Sequence, residues 1–323
     1  VKQPILLIKL LGWILTSRYS SFSQPVKCIA LIPVAFMIIK QLQKVKPQVV
    51  HLFWGHFPSM VGYLARLKLP ETKVSMFLGA YDIEMKLGIS AKMAYKADLV
   101  VTHSAANLPL LEEMGISGAK VIHRGINTEK FKKLQPDHRL SGHPKIVTAS
   151  RLIKGKGIKE AIEVIAILKR QFPDIKYYIA GEGPEKQNLM DFSKHQELTN
   201  NIVFLGHIEH DRVTGILKSC DIFLLLSRYK GERLPNGIKE AMYAQCVPVT
   251  TVTPGIDELI SHGEDGLILD RSQPEVVAEK ISRILNDKKR FSEMQEKGQQ
   301  KIEVSFNSNV QMNKYLDCWK SVL

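Results

Sequence analysis

The residues best suited to chemistry lie in the segment ERLPNGIKE, where Glu232 and Glu240 stand eight positions apart with Pro235 between them. A helix is predicted to start near Asn236, with Pro235 at a position where the first helical turn tolerates proline. The unpaired backbone N–H groups of such a helix end attract an anion. Two helical turns bring a loop glutamate and a helix glutamate to one cavity. The same spacing also fits a helix with acidic surface residues. A second group is RLIKGKG, in which Arg151 and Lys156 flank glycines that permit close backbone approach. Two fixed cations there suit a diphosphate, although a solvated basic loop has the same composition. A third group, AGEGP, places Gly181 and Gly183 after an apolar run. It is half of a dinucleotide fingerprint, and a tight strand-to-helix turn accounts for it equally well. His207 and His210 are three apart with no third metal ligand in view. His51 and His56 flank a loop at a strand end, where they either line an acceptor cleft or serve as polar loop residues.

The elements that must position these residues alternate strand and helix, the pattern of parallel α/β sheets. In the first half, strands are predicted at 48–53, 73–77, 97–102 and 120–123, the last leading into Arg124. Helices are predicted at 29–45, 59–67 and 108–114, with another near Ala91. The polar stretch 130–145, with Pro136, Gly142 and Pro144, reads as a linker. Beyond it, strands at 145–149, 176–180, 201–205, 222–226, 247–251 and 266–269 alternate with helices at 158–170, 185–195, 211–218, 236–244, 256–261 and 274–286. An amphipathic helix closes the chain at 307–323.

With 323 residues the chain has room for two α/β domains. Its net charge of +13 favours anionic partners, but the basic residues are dispersed and aromatics are 7%, which disfavours nucleic acid. The four cysteines, Cys28, Cys220, Cys246 and Cys318, lack metal-ligand spacing and read as buried thiols in a reducing compartment. No run reaches the roughly 18 to 20 apolar residues needed to span a bilayer. The basic-flanked apolar segments 5–15 and 29–39 fit either core helices or helices lying on an anionic membrane surface. The apolar start at Val1 suggests a fragment that lacks its true N-terminus. Asp-x-Asp does not occur, which disfavours a transferase that holds its metal on such a motif.

The motifs ASRLIKGKG, YYIAGEGPEKQNL, NIVFLGHIEHDRV, CDIFLLLS, GERLPNGIKEAM, CVPVTTVTPGIDELI and DGLIL, in this order, resemble the C-terminal domain of glycosyltransferase family 4. HLFWGHFPSMVGYLA, FLGAYDI, ADLVVTHS and HRGINTEKF resemble that family's acceptor domain, so that the likeness spans about residues 45 to 320. The resemblance implies an α/β GT-B fold, two Rossmann-like domains facing each other across a cleft. Residues 1–140 would form the acceptor-side domain, 141–305 the donor-binding domain, and 306–323 a helix crossing back to the first. It implies a retaining, metal-independent, hexosyltransferase-like enzyme without a cofactor. Such an enzyme moves sugar from a nucleotide-diphosphate sugar to a saccharide or lipid-linked saccharide in bacterial cell-surface polysaccharide synthesis. Its place would be cytoplasmic, on the inner face of the plasma membrane, without nucleic acid.

Carried over by position, Arg151 and Lys156 hold the donor diphosphate, Glu232 contacts the transferred sugar and Glu240 binds the ribose hydroxyls. Leu234, Pro235 and the backbone of Asn236, Gly237 and Ile238 help hold the donor beside Gly181 and Gly183. His207 and Ile208 lie near the base. His56, Asp82 and Arg124 are the acceptor-side candidates. Four departures stand out: Arg233 where the family has glycine, Gln245 where it has a small residue, Leu78 or Gly79 where it has histidine, and no glycine-rich loop near the start. They leave open a catalytically impaired nucleotide-sugar-binding homologue. The Gly181 turn leaves open a nicotinamide-dependent oxidoreductase.

Overall fold

The structure is a computed structural model and describes residues 4–19, 21–84, 88–228, 232–269 and 273–323. The chain divides into two compact units, Val1–Arg124 with Gln311–Leu323, and Gly125–Val310. This division falls ahead of the 140/141 boundary read from the sequence. Residues 125–140 are polar in composition, yet Ile126 and Phe131 are buried in the core of the second unit. The Asp137 amide donates to the Gly215 carbonyl, and Lys218 Nζ to the Leu134 carbonyl. A short helix, Thr128–Lys133, capped by the Asn127 side chain, occupies the start of the stretch expected to be linker.

The second unit is one six-stranded parallel sheet. Its strands are β5 (Lys145–Ala149), β6 (Lys176–Ala180), β7 (Ile202–Gly206), β8 (Ile222–Leu225), β9 (Val247–Thr251) and β10 (Leu267–Leu269), in the order β10-β9-β8-β5-β6-β7. Successive strand residues point to opposite faces. Ile146, Tyr177, Ile179, Ile222, Leu224, Val247 and Val249 pack on one side, against helices Ile158–Leu168 and Pro274–Asn286. Val147, Tyr178, Phe223 and Leu225 pack on the other, against helices His210–Leu217 and Asn236–Tyr243. Burial on both faces is why these strands read as continuous apolar runs. One buried hydroxyl joins three strands: Thr148 Oγ1 on β5 pairs with Tyr177 Oη on β6 at 2.7 Å and donates to the Leu224 carbonyl on β8.

In the first unit, β1 (Val49–Phe53), β2 (Lys73–Phe77), β3 (Leu99–Thr102) and β4 (Lys120–Val121) form a parallel sheet in sequential order. Leu52, Val74, Met76 and Val100 pack with the helices Pro4–Leu15, Ile32–Val45 and Pro58–Lys68. The Trp13 ring stacks on Tyr63 at 4.7 Å. The helix expected at 29–45 is broken: Ser23–Ala30 and Ile32–Val45 meet at 46° around Leu31, with Pro33 in the first turn of the second. Proline restricts the residue before it and supplies no N–H, so the ladder restarts there. Among the described residues no single helix is long and apolar enough to cross a membrane; that bent pair passes jointly on length and composition.

The opposite face of the first sheet is covered by the end of the C-terminal helix Ser308–Lys320, through Tyr315, Cys318, Trp319 and Val322 packed with Phe77, Val101 and Ile122. The polar residues of β1 and β2 meet this helix. Trp319 Nε1 donates to Ser75 Oγ at 3.1 Å, His51 Nδ1 lies 3.0 Å from the same oxygen, and the Tyr315 and Trp319 rings sit 5.3 and 5.4 Å from the His51 ring.

Burial lowers the pKa of His51 to about 4. An unfolded histidine titrates near 6.5, so below that pH the unfolded chain binds a proton that the folded chain refuses. The resulting stability is complete above about pH 6.5 and is lost as pH falls toward 4, by up to about 3 kcal/mol. Urea unfolding across this range is expected to show the loss, and His51→Phe to flatten it. An equal slope in both proteins would discount the burial of the neutral ring.

Candidate active site

β5 and β8 are neighbours, but the chain leaves them for helices on opposite faces of the sheet: Ile158–Leu168 after β5 and Asn236–Tyr243 after β8. A crevice at such a switch point is where open parallel sheets bind ligands. The loops beyond β5, β6 and β7 are joined by backbone hydrogen bonds. The Ser150 amide donates to the Ala180 carbonyl at 3.0 Å, Leu152 to Glu182 at 2.9 Å, and Gly181 to Gly206 at 2.8 Å. Two glycines make this approach possible. A methyl group on Gly181 would overlap the Ser150 carbonyl, and one on Gly183 would overlap that of Leu152. A cavity of about 250 Å³ results, lined by Ser150, Arg151, Gly181, Glu182, His207 and Ile208 among others. Four of the candidates, Arg151, Gly181, His207 and Ile208, therefore share one surface, and Gly183 shapes its wall.

Lys156 and Glu232 form a second pair. Lys156 Nζ lies 2.7 Å from Glu232 Oε1, with the two side chains only 15% and 11% exposed. Glu232 Oε2 is buried without a hydrogen-bond partner among the described residues. Gly157, at φ +71°, sits where any side chain would overlap the Leu226 carbonyl, so the loop after β5 lies directly on the end of β8. The Arg228 amide closes the contact by donating to the Gly155 carbonyl at 2.7 Å.

Pro235 is the N-cap residue, one position ahead of its predicted place, and the helix begins at Asn236. The Ile238 and Lys239 amides donate back to the Pro235 carbonyl at 3.2 and 3.4 Å. Of the three amides expected to serve a donor, those of Asn236 and Gly237 thus remain at the open helix end, and Leu234 ahead of it is buried. Gly237 lets this end settle on β5 and β8, because a methyl group there would come within 3.2 Å of Phe223 and 3.7 Å of the Ala149 carbonyl. Glu240, a turn further on, is mostly buried, with Oε1 3.8 Å from His210 Nε2. Burial pushes its carboxyl pKa up, while His210 and Lys239 pull it down. In the sequence His210 stands out only by its spacing from His207. Its tie to Glu240 joins residues far apart in sequence and gives no sequence signal.

In the first unit the Asp82 carboxylate is buried. Oδ1 accepts from the Gly55 amide at 2.9 Å and Oδ2 from the Gly79 amide at 3.0 Å, and His56 Nε2 stands 3.9 Å from Oδ1. Burial raises its pKa, opposed by those two amides and by His56. Asp82 thereby ties the loop after β1 to the loop after β2. Arg124 lies elsewhere, its guanidinium 6.0 Å from the Trp54 ring. His56 and Asp82 are thus adjacent, and Arg124 meets the same loop at Trp54.

Residues 130–301, more than half of the chain, match the family model described as Glycosyl transferases group 1. The chain belongs to that family. An uncharacterised glycosyltransferase of Methanocaldococcus jannaschii is 26% identical over 278 residues, covering 80% of this chain and 70% of the relative. The capsular polysaccharide biosynthesis glycosyltransferase CapM of Staphylococcus aureus is 26% identical over 246 residues, 74% of this chain and 60% of that protein. Anabaena HepE, solved in complex with UDP, superposes with a TM-score of 0.74 at 17% identity, over 90% of this chain and 83% of that one. The two parallel-sheet α/β units make this group 1 glycosyltransferase a GT-B protein. Membership sets aside the oxidoreductase reading of the Gly181 turn.

The departures from the family pattern in this group 1 glycosyltransferase have local accounts. Arg233 is only 5% exposed, so its side chain is drawn into the protein. The preceding Gly231 lies outside the described residues. Gln245 adopts φ +61°, the left-handed turn past a helix end that favours glycine. It is fastened to the helix Lys288–Ser305: its Nε2 donates to Gln299 Oε1 at 3.1 Å, and its carbonyl accepts from Gln295 Nε2 at 2.6 Å. Leu78 is a core residue, and Gly79 leaves room for the Trp54 ring.

Replacing Lys156 with Met is expected to cost about 2 to 4 kcal/mol in urea unfolding, because it strands a nearly buried carboxylate. The double variant Lys156→Met, Glu232→Gln should recover most of that loss. A single variant as stable as the parent would count against the pair.

Proposed function

We propose that this protein is a retaining, metal-independent transferase of glycosyltransferase family 4. It moves a hexose from a nucleotide-diphosphate sugar to a saccharide or lipid-linked saccharide in cell-surface polysaccharide assembly. The observations that support the reading are the cavity beyond β5, β6 and β7 lined by Arg151, Gly181, His207 and Ile208, and the Lys156–Glu232 pair where the loop after β5 lies on the end of β8. In this reading Arg151 and the positive helix end take the diphosphate. Lys156 stabilises the charge that develops there and holds Glu232 toward the sugar. Glu240 accepts from the ribose hydroxyls, and the turn at Gly206, His207 and Ile208 faces the base. As the bond from the anomeric carbon to the phosphate oxygen breaks, its electron pair passes to the leaving diphosphate. The acceptor oxygen takes its place on the same face and passes its proton to the departing phosphate oxygen. Fixed cations supply the main stabilisation, as preorganised charge does wherever negative charge builds up on a leaving group. The UDP named with Anabaena HepE and the capsular polysaccharide named with CapM support the donor and acceptor classes. His56, positioned by Asp82, is the acceptor-side group, with Arg124 in support.

The same reading puts the protein on the inner face of an anionic membrane. Its support is the +13 charge and the exposed Ile5, Ile8, Phe22, Val26 and Met37, which lie among Lys9, Lys27 and Lys40.

Arg151→Ala is expected to lower kcat/KM for a UDP-sugar about 30- to 1,000-fold, some 2 to 4 kcal/mol of transition-state stabilisation. Because Arg151 is exposed, the melting temperature should hardly move. Activity should persist in EDTA. Loss on chelation with recovery on adding manganese would overturn the metal-independent mechanism. Nucleotide-sugar binding without transfer or hydrolysis would instead identify a catalytically impaired homologue.

A further inference from the structure

The helix Asn236–Tyr243 buries a cation. Its buried residues are Ile238, Lys239, Ala241, Met242 and Tyr243, and Lys239 is 0% exposed. Among the described residues no other lysine is buried. Taking an ammonium out of water is costly, and an apolar side chain would fill the same space without that cost. Helical side chains lean toward the start of their helix. The Lys239 stem accordingly runs back one turn and sets Nζ 3.3 Å from Oδ1 of Asn236, the first residue of the helix. The buried ring of Phe306 has its centroid 5.7 Å from the same nitrogen, and an aromatic face tolerates a cation better than an aliphatic wall does. Asn236 is exposed, so water alone would satisfy its amide oxygen without a lysine. The charge is felt nearby: burial raises the Glu240 carboxyl pKa, while His210 and Lys239 pull it down.

We propose that Lys239 is a positioning residue for a bound diphosphate: from inside the protein its ammonium adds to the positive helix end and holds Asn236, so that the open amides of Asn236 and Gly237 meet the anion. The claim rests on the nucleotide-sugar reading. The helix end alone supplies about half a unit of charge. A full charge fixed next to it, out of water, acts through a lower dielectric and is screened less by salt than a surface lysine. The cations already assigned leave a need for it. Arg151 is exposed and works in water, and Lys156 shares its charge with Glu232 at 2.7 Å. Lys239 touches no part of the ligand in this arrangement, and an uncharged nucleoside gains nothing from it. It therefore favours donors through their phosphates and is indifferent to their base.

The test compares the full chain with Lys239→Met and Lys239→Gln. UDP, GDP and ADP are titrated by calorimetry, and the matching nucleosides are followed by saturation-transfer NMR. Met replaces the stem, and Gln also keeps a donor for Asn236 Oδ1; both remove the charge. Affinity for the diphosphate that the parent binds is expected to fall about tenfold in both variants, with nucleoside binding unchanged. Parent-like diphosphate affinity in either variant overturns the role of the charge. An equal loss for nucleotide and nucleoside overturns it as well, and assigns Lys239 to packing. A second readout needs no variant to fold. In the parent labelled with nitrogen-15 lysine, a solvent-protected ammonium resonance is expected to shift on adding the diphosphate and to stay in place with the nucleoside. Its failure to shift with bound diphosphate overturns the proposal. A parent that binds none of the three nucleotides removes the nucleotide-sugar reading itself, and this proposal with it.

Discussion

In the second unit the neighbouring strands β5 and β8 send the chain to opposite faces of the sheet. The loops that follow them must still pack on each other, because backbone buried beside a sheet needs partners. Glycine is what makes this possible. At Gly157 and Gly181 a side chain would strike a carbonyl of the neighbouring segment, and both residues adopt positive φ. The ion pair between Lys156 and Glu232 spans the same gap from loop to loop. The backbone packing and the charge arrangement are therefore one feature. Ligand-facing groups are held by contacts that also close the end of the sheet.

The first unit solves a related problem differently. Its strand ends are fastened by a carboxylate and by aromatic rings. Trp54 takes φ +79°, an unusual conformation for a bulky side chain, and its ring packs against Phe53 and Phe77. The C-terminal helix completes this unit by covering the sheet face that carries His51 and Ser75.

Much of the fold was legible because strands buried on two faces form short apolar runs between turn residues. Val247–Thr251 and Lys176–Ala180 are where their composition puts them. The helix Lys288–Ser305 was not foreseen. Of its eighteen residues only Met294, Gly298 and Ile302 are buried, too sparse a stripe to announce a helix. The expected helix at 256–261 is a single tight turn, Ile256–Glu258, after the left-handed Gly255. At the site, residue types were readable and partners were not. Nothing local in RLIKGKG says that Lys156 reaches Glu232, or in FLGAYDI that Asp82 binds the amides of Gly55 and Gly79. Such pairings are set by the sheet order, which joins segments distant in the chain.

The Asp82 carboxylate has a dynamic consequence. Its two oxygens accept from amides on different loops, at Gly55 and Gly79, and the carboxylate is itself buried. Neither loop can lift away without leaving part of a buried charge unsolvated, a cost that falls only when both open and water enters. The two loops therefore form one opening unit. In hydrogen exchange their amides would share a single protection free energy, instead of the graded values of independently fraying loops. His56 and Tyr81, carried on and just after these loops, therefore share one opening unit.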